Sequence, residues 1–94
     1  MKITDVKIHR AEREDSRIKA YARVLLDDGF LISDIRIIEG TKGLLVAMPS
    51  RKNRKGEFVD IAHPVNQEVR TMFEKAIFDE YERVLAEEPK NEEE

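Results

Sequence analysis

Four cations, Arg51, Lys52, Arg54 and Lys55, crowd around Asn53 in the stretch Ala47-Met-Pro-Ser-Arg-Lys-Asn-Arg-Lys-Gly-Glu-Phe-Val-Asp-Ile-Ala-His-Pro64. Apolar segments with the character of strands lie on both sides, so the basic residues occupy a turn whose ends are held. A basic turn mounted this way suits a phosphate backbone, because its field draws in polyanions while its tip stays free to conform. Arg adds a planar fork that grips a phosphate or a guanine edge bidentately. Asn53 and Ser50 add neutral donors for sugar or base contacts, and Asn53 is counted with the four cations as a binding residue. Phe58 has a ring that stacks on bases, although its place in an apolar segment reads first as core. A charge run of this size is ordinarily a solvated loop. The Arg content favours binding here, as does the doubling of the turn that a symmetric dimer would bring.

The other polar residues offer little chemistry. His9 and His63 are isolated, and neither has the spacing of a zinc site. Asp60 with His63 can be drawn as an acid–base pair, but both stand where a strand runs into a turn, a place where such residues fix loop geometry. Ser50 lacks a nucleophile elbow. No glycine-rich phosphate cradle is present. The chain therefore reads as a non-enzyme with no metal, cofactor or small-molecule substrate.

The charge balance separates the body from its end. The formal net charge is −3 over 94 residues. The last eight residues, 87–94, carry about −4 of it, which leaves residues 1–86 near +1. Residues 1–86 are expected to form one domain, and 87–94 an acidic tail too polar to pack. There is no cysteine, which fits a reducing compartment. The amino terminus lacks the uninterrupted apolar core of a secretory signal, and no apolar run approaches membrane-spanning length. A cytoplasmic protein is expected.

The elements that would position the basic turn follow from periodicity. Residues 2–11 alternate loosely around Ile3, Val6 and Ile8, as a first strand. A charged connection, 11–16, follows. Residues 17–27 alternate clearly, Asp28-Gly29 supplies a two-residue turn, and 30–39 returns. That turn places Ala20 opposite Ile37, Ala22 opposite Ile35, Val24 opposite Ser33 and Leu26 opposite Leu31 on one face. The other face pairs Tyr21 with Arg36, Arg23 with Asp34 and Leu25 with Ile32. Leu44, Leu45, Val46, Ala47 and Met48 form an apolar run without alternation that needs cover on both sides. Either it lies mid-sheet under a loop or it forms a subunit interface, and the interface is the favoured reading. Residues 57–62 return as a short strand. Asn66 is a helix N-cap with Glu68 in the first turn. Val69, Met72, Phe73, Ala76, Ile77 and Val84 then recur at helical spacing, with Tyr81 and Leu85 beside them, to an end near Ala86. The predicted fold is α+β: a small antiparallel sheet of about five strands with one C-terminal helix on the alanine-bearing face.

Four blocks, Lys2-Ile-Thr-Asp-Val-Lys-Ile8, Asp34-Ile-Arg-Ile-Ile-Glu-Gly40, Val46-Ala-Met-Pro-Ser-Arg-Lys52 and Gly56-Glu-Phe-Val-Asp-Ile-Ala-His-Pro64, resemble the stage V sporulation protein G family, septation regulators of bacteria. The resemblance runs from Met1 to about Val84. It implies a dimeric fold with an antiparallel sheet and a carboxy-terminal helix, and a regulator that binds DNA and RNA. On it the basic segment is Arg51, Lys52, Arg54 and Lys55. Asn53-Arg54-Lys55 departs from the family's usual uncharged or acidic turn, and Val59 stands where many members are basic. An alternative function is a protein–protein adaptor in cell division or envelope regulation, meeting partners through a sheet edge and the acidic tail.

Overall fold

The computed structural model describes residues 1–11 and 16–87. The expected acidic tail beyond Glu87, and most of the connection between the first two strands, lie outside the described residues. Strands Ile3–Arg10 (β1), Ile18–Leu26 (β2), Phe30–Gly40 (β3) and Gly43–Ala47 (β4) form one antiparallel sheet in chain order. Ser50–Lys52 (β5) and Phe58–Asp60 (β6) pair only with each other. One helix among the described residues, Gln67–Glu87 (α1), completes the α+β fold.

The helix begins as its residues dictate. Asn66 Oδ1 accepts the Val69 amide at 2.8 Å, satisfying one of the unpaired donors of the first turn. Phe73, Ile77 and Tyr81, each four residues apart, are buried along one seam. They meet Ala20, Ala22, Val24, Ile35 and Ile37 of the sheet in one core cluster, with Met48 at its margin. The two alanines leave the room that the helix takes, as their pattern predicts.

The register agrees with expectation in one half of the hairpin and differs in the other. Ala20 faces Ile37, Tyr21 faces Arg36 and Ala22 faces Ile35, but Val24 faces Ile32 and Leu26 faces Phe30. One extra β3 residue is accommodated between Ile35 and Ile32, where Asp34 takes a left-handed φ of 63°. The bulge breaks the expected Arg23–Asp34 pairing, and the two form no ion pair. It also puts Ile32 rather than Ser33 against the core. The left-handed turn residues are Asp27 (φ 50°) and Asp28 (φ 54°), not Asp28 and Gly29. Strand β1 explains the shift. Lys2 N donates to Asp27 Oδ1 at 3.1 Å, Asp27 N donates to Lys2 O at 2.8 Å, and Asp28 N donates to Thr4 Oγ1 at 3.0 Å. A third strand thus holds the turn one residue earlier than local propensity favours.

Strand β4 is an edge strand, not a central one. Leu44 lies beside Phe78 and Tyr81 of α1, and Val46 packs on the core. Leu45, opposite Ile38, is 58% exposed. Met48 is buried within the subunit's own core. The strands divide into a sheet of four and a separate pair. Pro49, which has no amide hydrogen to give, interrupts the chain after β4, and the basic segment becomes a separate two-stranded arm.

Candidate nucleic-acid interface

The arm is built around Asn53. Its backbone N donates to Glu57 O at 2.8 Å, and Gly56 N donates to Asn53 O at 3.1 Å, which closes a tight turn over Arg54 and Lys55. Gly56 supplies the left-handed residue after the turn, with φ 84°, a conformation that suits glycine and produces a bulged hairpin loop. Asn53 Oδ1 accepts the amides of Lys55 (2.9 Å) and Glu57 (3.0 Å), while Nδ2 donates to Glu57 Oε1 at 3.3 Å. The side chain expected to offer donors to a ligand is therefore also engaged in the turn, where it shapes the tip while staying exposed.

The cations face outward. Arg51, Lys52, Arg54 and Lys55 are all exposed. Among the described residues none of the four forms an ion pair. Lys52 Nζ stands 5.7 Å from the centre of the Phe58 ring, close enough for a weak cation–π attraction. Phe58 is 69% exposed. Its expected place in the core is wrong, because the arm extends away from the apolar face against which a core residue would have to pack.

Arg36 ties the base of the arm to the sheet. Its Nη2 donates to Met48 O at 3.0 Å and to Ser50 Oγ at 3.2 Å. Ser50, like Asn53, is thus engaged structurally. Arg36 belongs to the sheet face opposite the helix. Across that face His9 lies opposite Tyr21, Tyr21 opposite Arg36, and Lys7 opposite Arg23. Tyr21, Asp34, Arg36, Ser50 and Phe58 enclose an open cleft where this face meets the arm. The cleft is not apparent in the basic segment alone. Its only sequence signal is the Tyr21–Arg36 register, which the alternation gives correctly.

Other chemistry is sparse. His63 is exposed, with Nδ1 3.0 Å from Pro64 O, a local turn contact. Asp60 sits opposite Ser50 at the open end of the arm. Among the described residues no group of three or more His, Asp or Glu side chains gathers as a metal site. Among the described residues, no helix is long and apolar enough to cross a membrane.

Comparison with known proteins gives a consistent result. The SpoVG family model matches residues 1–83. A SpoVG protein of Caldicellulosiruptor saccharolyticus, associated by name with septation, is 51% identical over 86 residues, covering 92% of this chain and 97% of the relative. Its namesake in Phytoplasma australiense is 54% identical over 85 residues, covering 90% of this chain and 88% of the relative. The Bdellovibrio bacteriovorus namesake is 49% identical over 85 residues, with 90% and 77% covered. With the four-stranded sheet, most of the helix and all four blocks quoted from the sequence inside the matched region, the chain belongs to the SpoVG family.

Proposed function

We propose that the protein is a regulatory dimer, in keeping with its septation and sporulation family, that binds DNA and RNA through the β5–β6 arm. The observation that carries this reading is the set of four exposed cations on the arm, none neutralised by a described carboxylate of the same chain. A polyanion approaching the tip meets charge that no carboxylate among the described residues neutralises. Releasing the condensed counterions of the nucleic acid then drives binding.

Subunit pairing is proposed through the free edge of β4, centred on Leu44 and Leu45. The edge presents unpaired backbone groups, and Leu45 leaves apolar surface beside them. Val46 and Ala47 are half-buried and Met48 is buried in their own subunit, and they contribute mainly by holding the strand. Two copies related by a two-fold axis would carry two arms.

The test replaces Arg51, Lys52, Arg54 and Lys55 by Gln and measures anisotropy with duplex DNA across a salt series. Four phosphate contacts predict a log–log slope of about −3 to −4 for each arm engaged. The variant is expected to lose most of that slope along with the affinity. Unchanged affinity and slope would refute the reading and favour the adaptor alternative, in which protein partners survive nuclease treatment.

A further inference from the structure

The cleft between the arm and the outer sheet face has the chemistry of a base-binding site. Tyr21 and Phe58 are two of its walls, 41% and 69% exposed, and its volume is about 240 Å³. Asp34, Arg36 and Ser50 supply its polar lining. Exposed aromatic rings attract the flat face of a nucleobase regardless of its identity. The carboxylate of Asp34 would repel a phosphate but accepts hydrogen bonds from the amino and imino groups of bases. Its backbone is fixed in the left-handed region by the β3 bulge. The sugar–phosphate strand on either side would meet Lys52 on the arm and Lys7 and Arg23 along the sheet. Lys7 and Arg23 sit directly opposite each other on this face.

We propose that this cleft receives an unpaired base, so that the protein binds single-stranded nucleic acid by stacking on Tyr21 and Phe58 while the basic arm holds the neighbouring phosphates. The proposal rests on the reading of the arm as a phosphate contact. A base inside a duplex is stacked and paired and does not enter the cleft, so the aromatic residues act on single strands alone. A second copy of the chain is the competing occupant. The lining argues against it, because a charged Asp34, an Arg36 and a hydroxyl suit a ligand rich in donors and acceptors better than an apolar subunit contact.

The experiment compares Tyr21→Leu, Phe58→Leu and the four-cation Gln variant for binding a fluorescein-labelled oligodeoxyadenylate and a duplex of equal length. Each Leu variant is expected to weaken single-strand binding by roughly tenfold, the range of one lost stacking contact. Duplex affinity and both salt slopes should stay as in the parent protein. Tyr21→Phe and Phe58→Tyr, which keep the rings, should bind as the parent does, and this guards against a folding defect being taken for a lost contact. If the Leu variants bind the single strand normally while the Gln variant does not, the cleft proposal falls and the arm reading stands. Normal binding by the Gln variant would bring down the arm reading itself. Dissociation of Phe58→Leu into monomers on sedimentation would assign Phe58 to a subunit contact and overturn the proposal.

Discussion

Replacing Asn53 by Ala should weaken nucleic-acid binding without removing any charge and without destabilising the domain. The Asn53 side chain accepts two backbone amides, from Lys55 and Glu57. Both bonds are exposed and fall in the lower part of the usual range of about 0.5–1.5 kcal/mol, so the turn loses about 1–2 kcal/mol of local order. A two-stranded hairpin standing alone is marginal, with ordered and open forms close to balance. From an even balance, the loss of about 1–2 kcal/mol would cut the ordered fraction from about one half to between a sixth and a thirtieth. Apparent affinity should then fall by roughly threefold to fifteenfold, since only the ordered arm presents its cations together. The salt slope should hold, because all four cations remain. Thermal unfolding should hold as well, since neither strand of the arm joins the main sheet. Hydrogen exchange provides the direct check: the Lys55 and Glu57 amides should exchange faster in the variant, while amides in β2 and β3 keep their protection. A fall in affinity with those two amides still protected would refute the reasoning, as would a drop in melting temperature of several degrees.

Three further outcomes are expected. Ile77→Ala opens a cavity at a side chain that is 0% exposed and should remove about 2–5 kcal/mol of stability in urea unfolding. Leu45→Asp should shift sedimentation towards monomer while leaving the unfolding of the isolated subunit little changed, because the introduced charge remains in water on an edge strand. Arg83, hydrogen-bonded to Glu80 through Nε at 3.0 Å, holds the Glu80 carboxyl below its ordinary value. Such a group adds stability above the ordinary glutamate pKa and loses it as pH falls through the lower native one. The stability difference between the parent and Glu80→Gln should therefore be small but present at neutral pH and vanish on acidification, as followed by melting at several pH values.

How much of this could be read from the residues depends on whether local or distant contacts decide each feature. The helix was legible because Asn66 and the apolar spacing from Val69 to Tyr81 act within a few residues of one another. The Ala20, Ala22, Ile35 and Ile37 face was legible because alternation specifies which side is buried. The turn at Asp27-Asp28 was not. It is decided by Lys2 and Thr4, more than twenty residues away, and a hairpin considered by itself contains no trace of them. The bulge at Asp34 is the compensation that restores the apolar face after that shift. The exposure of Phe58 was hidden for a similar reason, since a large apolar residue in a strand signals burial unless its strand leaves the sheet. Asn53 was recognised as part of the basic segment, but its role in shaping the turn depends on the amides of Lys55 and Glu57, which the composition of the segment does not reveal.

The separateness of the arm has a consequence for how such proteins diversify. Residues 51–57 can be exchanged, lengthened or recharged without disturbing the register of the four-stranded sheet or the seam beneath the helix. Natural variation can therefore explore new targets on an unchanged scaffold, with foldability and preference evolving almost as independent traits.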